Sequence, residues 1–278
     1  MKRFFFAVTV LLFSALSLGA REKVRVMSFN VRHIGEARDT GVLSWDCRKE
    51  SVVKMLKDLK PDILTLQEAH QVQYEHILEN LPEYGHVEWI LGKDSTSTGT
   101  RQCVLYRKDR FEYVDWGHVW LKEEDPTTYG RGWDAANHRA CTWCILRSRK
   151  TGKAYCQYNT HFDHKGWEAR RQSAIMVAEL IKSLPDDTVT FLCGDFNMSY
   201  DNERMEPIKQ LMGHANDQAR KADPSPTFNG WGRRDLYLDH IFYRNADPRR
   251  FKVVNEYGKY GVTYLSDHNP VYCDFVVR

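Results

Sequence analysis

Six short polar clusters border the apolar runs of this 278-residue chain, and their residue types belong together chemically. Val26-Met27-Ser28-Phe29 runs into Asn30, Ile63-Leu64-Thr65-Leu66 into Gln67-Glu68, and Tyr158-Asn159-Thr160 into His161. Thr190-Phe191-Leu192-Cys193 runs into Gly194-Asp195-Phe196-Asn197, whereas Asp239-His240 and Ser266-Asp267-His268 each come just before an apolar run. Glu68, Asp195 and Asp267 are hard oxygen ligands, Asn30 and Asn197 are amides, and His161 and His268 are imidazoles. Carboxylates and amides suit Mg2+, Mn2+ or Ca2+ rather than a soft metal. Such an ion activates water and neutralises a phosphoryl oxygen, while a histidine donates a proton to the leaving group or holds the developing charge. Gly194 is expected to let the chain turn tightly, so that Asp195 and Asn197 both face the site.

Competing readings are weaker. A single acidic residue is more often a solvated surface group, but an ordered set of this kind is not. His161-Phe162-Asp163-His164 lacks the fuller ligand set of a zinc site. Adjacent Ser266, Asp267 and His268 cannot form a nucleophile–base–orienter triad. No G-x-S-x-G, phosphate-loop or dinucleotide fingerprint is present.

The elements that must position these residues are legible from periodicity. Strands are expected at Val24–Asn30, Ile63–Leu66, His86–Leu91, Gln102–Tyr106, Phe111–Leu121, Ala140–Leu146 and Ala154–Thr160. Further strands are expected at Thr188–Cys193, Leu238–Tyr243, Phe251–Asn255 and Val271–Val277. Arg149-Lys150-Thr151-Gly152 marks a hairpin. Ser44 opens a helix with Val52, Val53, Leu56 and Leu59 on one face, stopped by Pro61. Helices are also expected at Val72–Leu81 and Trp167–Leu184, and Lys122–His138 reads as a long loop. Many strands and few helices predict an α+β fold, a four-layer αββα sandwich of two mixed sheets flanked by helices. If the last two cluster-bearing strands run antiparallel to the first four, all six clusters meet on one rim.

In this order the clusters resemble the endonuclease/exonuclease/phosphatase superfamily. The motifs are Met27-Ser28-Phe29-Asn30, Leu66-Gln67-Glu68, Thr160-His161, Gly194-Asp195-Phe196-Asn197, Asp239 and Ser266-Asp267-His268, covering about residues 22–278. The resemblance implies that Glu68 is the main metal ligand, with Asn30 and Asp267 close to the same ion, Mg2+ or Mn2+. It implies that Asp195 orients or deprotonates the attacking water and that Asn197 positions it or the phosphate. His161 and His268 would bind the scissile phosphate, with Asp239 holding the His268 imidazole and fixing its tautomer. Nuclease-like members often carry a Glu just before the strand matching Gln102–Tyr106, where this chain reads Gly99-Thr100-Arg101. Asp163 or a backbone carbonyl is then left as the partner of His161.

The implied activity is divalent-metal-dependent hydrolysis of a phosphoester, first a phosphodiester as in a nuclease. A phosphomonoesterase or phospholipid head-group phosphodiesterase is the alternative, and a non-catalytic binding module the rival class. That rival would be expected to lose rim acids or histidines. The substrate is expected to be a nucleic acid, nucleotide derivative or phospholipid head group, recognised by a monomer. Candidate substrate contacts are Arg32, Arg139, Trp133, Trp167 and Trp231; for each tryptophan, loop anchoring is the plainer role. Arg32 is read evenly as a phosphate binder or a solvated strand end, and Arg131–Arg139 as a substrate lid.

Composition bounds these readings. Forty Lys and Arg against 37 Asp and Glu give a net charge of +3, low for a nucleic-acid coat or polybasic membrane binder. Met1-Lys2-Arg3, the apolar run Phe4–Leu18 and the small residues that close it read as a secretory signal over residues 1–20. The expectation is a secreted or periplasmic domain, residues 21–278, with net charge +1 and no membrane span. Of seven cysteines, Cys141 and Cys144 lie three residues apart in an expected strand, about 10 Å, beyond disulfide reach.

Overall fold

The computed structural model of the protein describes residues 21–92 and 99–278; the expected signal segment lies outside the described residues. The chain begins with β1 (Glu22–Asn30), α1 (Trp45–Leu59), β2 (Ile63–Ala69), α2 (Gln71–Asn80), β3 (Tyr84–Ile90) and β4 (Arg101–Arg107). It continues through β5 (Phe111–Trp120), β6 (Ala140–Ser148), β7 (Ala154–His161), α3 (Trp167–Lys182) and β8 (Val189–Asp195). Then come α4 (Glu206–Lys209), β9 (Gly213–His214), α5 (Ala215–Gln218), β10 (Asp239–Arg244), β11 (Asp247–Val253) and β12 (Val271–Val277). The pieces α4, β9 and α5, of two to four residues each, are too short to show a periodicity in the sequence. The strand expected from Phe251 starts at Asp247, with an irregular register beside Pro248.

Two six-stranded sheets result, ordered β11-β12-β1-β2-β4-β3 and β5-β6-β7-β8-β10-β9. Both are mixed: β1 with β2 and β7 with β8 are parallel pairs, and the remaining pairs are antiparallel. The sheets bury Val26, Ile63, Phe191, Ile241 and Phe275 between them. Outside the first sheet, α1 and α2 cover Met27, Phe29 and Leu66 with Val52, Leu56 and Ile77. Outside the second, α3 lays Ala174, Val177 and Ile181 against Phe162 and Leu192. This is the four-layer αββα sandwich.

Strand alternation then carries each functional residue to the inner face. Val24 and Val26 point between the sheets, and a period of two takes Asn30 there as well. The same count along β8 runs Phe191, Cys193, Asp195, and along β10 it places Asp239 with Ile241. The last two cluster-bearing strands do run antiparallel to their neighbours, β10 to β8 and β12 to β1. Below the rim the interior turns polar. Gln67 Nε2 donates to Asn159 Oδ1 at 2.7 Å, and Asn159 Nδ2 donates to the carbonyls of Leu66 and Cys103, tying the sheets together.

Gly194 has a different job from the expected turn. It lies within β8, and a Cβ there would overlap the carbonyl oxygen of Thr160 on β7. Gly194→Ala must therefore push two core strands apart beneath the site. A destabilisation of at least about 2 kcal/mol is expected in denaturant unfolding. An unchanged midpoint and slope would show that the strands part freely.

Candidate active site

The clusters converge between the sheets. Asn30 Nδ2 lies 3.1 Å from both Glu68 Oε1 and Asp195 Oδ2, so one amide bridges carboxylates from different sheets. Alternation alone would turn Glu68 outward, away from Asn30. An irregular register between Leu66 and Ala69, with a left-handed φ of 60° at Glu68, rotates it into the rim. Arg32 and Asn197 are also left-handed, with φ of 60° and 51°. Backbone strain at non-glycine residues of this kind concentrates at functional sites.

The remaining partners are well defined. His33 donates to Glu68 Oε2 from its backbone N at 3.0 Å and from Nδ1 at 2.6 Å. Asp195 Oδ1 accepts from the backbone N of Asn197 at 2.9 Å. His268 Nδ1 donates to Asp239 Oδ2 at 2.8 Å, which leaves Nε2 3.5 Å from Asp195 Oδ2. Asn197 Nδ2 donates to the Phe162 carbonyl at 2.9 Å and lies 3.1 Å from His161 Nε2. His161 Nε2 also lies 3.3 Å from Asp195 Oδ2. Asp163 is not its partner: that carboxylate accepts from the backbone N of Asn137, Lys165 and Gly166 and faces Arg139 at 3.6 Å.

Burial and charge split the two histidines. His161 is pushed well below its usual pKa by burial and by Arg139, so it is neutral. Burial also opposes charge on His268, but Asp239 and Asp195 outweigh it and hold that ring protonated. Asp195 is pushed up by burial and by Asp239, although His268 pulls the other way. Burial works against charge on Glu68, but its hydrogen bonds from His33 hold it well below the carboxylate range. Environments that drive like groups apart in this way assign acid and base roles.

A second network lines the flank. Asp39 accepts from Arg32 Nε at 2.7 Å and from Trp231 Nε1 at 3.0 Å, and Arg32 Nε lies 3.6 Å from Asp267 Oδ2. Arg32 is neither a solvated strand end nor a free cation; three carboxylates, those of Glu36, Asp39 and Asp267, surround it. Trp231 packs on this network, and Arg139 is buried between Asp163 and the His161 side. Trp167 is 46% exposed at the start of α3, under the Arg204 guanidinium, and Trp133 holds a left-handed loop position. The segment expected as a lid is fastened, because Asp134 accepts from the backbone N of Glu168 and Ala169 and caps α3. His164 is exposed while His161 is buried, so the pair does not converge on zinc. His33 and Asp39 are absent from the sequence reading; a loop histidine or aspartate carries no periodicity to mark it.

The donor set fits a divalent ion. Glu68, His161 and Asp195 each offer an atom within 4.8 Å of the others. Negative charge is crowded there, since Asp195 and Asp267 are both pushed up in pKa, by burial first and by neighbouring carboxylates. A cation relieves that crowding. A hard ion prefers oxygens, so Glu68 with Asn30 and Asp267 would hold it, and His33 would orient Glu68 from behind.

The model of the Endonuclease/Exonuclease/phosphatase family matches residues 27–268. The chain belongs to that family. Among solved structures, an endonuclease/exonuclease/phosphatase from Bacteroides vulgatus is 31% identical, with a TM-score of 0.84 over 92% of this chain and 100% of its own. A mannosyl-6-phosphatase from Bacteroides thetaiotaomicron is 26% identical, with a TM-score of 0.81 over 91% of this chain and 99% of its own. A CCR4-Not complex 3'-5'-exoribonuclease subunit, Ccr4, from Emericella nidulans is 28% identical over 58% of this chain. The chain spans only 28% of that relative's length. Members of this family hydrolyse phosphoesters, and divalent metals are common among them. Among the described residues no helix is long and apolar enough to cross a membrane.

Proposed function

We propose that this protein is a divalent-metal-dependent phosphodiesterase that hydrolyses its substrate by in-line attack of water. The observation that carries the reading is the placement of two imidazoles around one buried carboxylate, with His161 Nε2 at 3.3 Å and His268 Nε2 at 3.5 Å from Asp195 Oδ2. Asp195 accepts the proton of the attacking water, for which a raised pKa suits it. His268, held by Asp239, faces the developing charge as an imidazolium and gives its Nε2 proton to the leaving oxygen. His161, neutral and beside Asn197, orients the phosphate without adding charge. When bound, a Mg2+ or Mn2+ ion at Glu68, Asn30 and Asp267 supplies electrostatic stabilisation of the phosphoryl oxygens.

The diester reading draws support from the likeness to the 3'-5'-exoribonuclease subunit. The second reading, a sugar phosphomonoesterase, draws support from the whole-length likeness to the mannosyl-6-phosphatase. We read the protein as a monomer that is secreted or periplasmic, with residues 1–20 as its signal, on the basic start and apolar run of that segment.

Turnover of bis-(p-nitrophenyl) phosphate, p-nitrophenyl phosphate, mannose 6-phosphate and single-stranded RNA tests this, with Mg2+, Mn2+ or chelator and beside Asp195→Ala. Diester hydrolysis that vanishes in chelator and in the variant is expected. Preference for mannose 6-phosphate would move the assignment to the monoesterase. No turnover on any diester or monoester would overturn hydrolysis in favour of a binding module.

A further inference from the structure

Arg48 is buried as the fourth residue of α1, at 1% exposure, and no carboxylate lies within ion-pair distance of it among the described residues. Its guanidinium serves three carbonyls from three separate stretches of chain. Nε donates to Leu43 O at 2.8 Å, and Nη1 donates to Val31 O at 3.1 Å and to Leu265 O at 2.5 Å. The rings of Trp45 and Trp231 flank it, at 5.6 and 5.2 Å. Val31 follows Asn30, and Leu265 stands two residues before Asp267. One side chain thus clamps the two backbone segments that carry Asn30 and Asp267, from opposite ends of the sequence.

Plain packing does not account for this choice. A buried guanidinium carries a desolvation cost that an aliphatic side chain of similar volume avoids. Burial does push its pKa down, to about 10, yet it remains a cation at neutral pH. The planar fork reaches separate acceptors in fixed directions, which neither Met nor Lys reproduces. Its charge, facing Asp267 and Asp39, also offsets part of the negative crowding that the ion site requires.

We infer that Arg48 is a positioning residue that sets the spacing of Asn30 and Asp267 for the divalent ion, acting through the Val31 and Leu265 carbonyls. This rests on the ion-site reading above. Groups behind metal ligands typically govern affinity by about 10–100-fold. The test is Mn2+ binding to the metal-free protein by calorimetry, for wild type, Arg48→Lys, Arg48→Met and Val52→Ala. Val52 is buried on the same helix and packs in the outer core, so Val52→Ala lowers stability without touching either carbonyl. Arg48→Lys should bind Mn2+ about tenfold more weakly. Its circular dichroism should stay native, and its substrate KM at saturating metal should match wild type. Arg48→Met should be weaker again, and Val52→Ala should bind like wild type. Wild-type affinity in folded Arg48→Lys would overturn the inference alone. Equal weakening in Val52→Ala would also overturn it, by reducing Arg48 to a stability effect. A wild type that binds no Mn2+ would overturn the ion-site reading, and this inference with it.

Discussion

Replacing His268 with alanine is expected to lower hydrolysis by about a hundredfold or more while the fold stays intact. The ring is 5% exposed and its Nδ1 is committed to Asp239, so its catalytic face is Nε2 alone. Removing it leaves Asp195 and Asp239 facing one another across the gap without the cation that separates them. The pH dependence of stability gives a second readout, taken in chelator so that no ion competes. His268 has a folded pKa raised to about 10, above its unfolded value, so it binds a proton more tightly in the native state. Its contribution is complete below the unfolded value, about 6.5, and is lost as pH rises toward 10. Wild type should therefore lose stability over that window relative to His268→Gln. Parallel stability curves would show that the imidazolium is not held by the two carboxylates. Unchanged turnover in His268→Ala would remove the residue from the chemistry.

Much of this arrangement follows from period-two counting. Asn30, His161, Asp195 and Asp239 are each reached from an apolar residue of known facing by stepping along the strand, and each arrives on the inner face. That logic fails at Glu68. Its strand changes register after Leu66, and a left-handed residue reverses the direction the count predicts. Such a bulge leaves no compositional trace, because Gln-Glu-Ala reads the same with or without it. The Arg32, Asp39 and Trp231 network is illegible for another reason. Asp39 and Trp231 are 192 residues apart, and only the folded loops bring them together. Gly194 shows a subtler gap: its identity is plain in the sequence, but the strand carbonyl that demands it belongs to β7. Arg48 looks like any charged residue on an amphipathic helix until its three carbonyl acceptors are in place.

Glu68→Gln is expected to weaken Mn2+ binding and to lower turnover by at least about a hundredfold. The amide keeps the shape of the side chain and can still meet Asn30, so a packing defect does not explain the loss. What disappears is the negative charge that would hold the ion. A signal independent of metal follows from His33. Its pKa is raised chiefly by the hydrogen bond to Glu68, although burial works against it, so the neutral amide should let it fall. The His33 ring should then titrate at lower pH in the variant, as followed by NMR of the metal-free protein. The two readouts separate causes. A lower His33 pKa with wild-type Mn2+ affinity would mean that Glu68 orients the loop but holds no ion. Weaker binding with an unmoved His33 would break the 2.6 Å contact from which the orienting role is argued. Only the joint change fits a carboxylate that His33 steadies from one side and a divalent ion uses from the other.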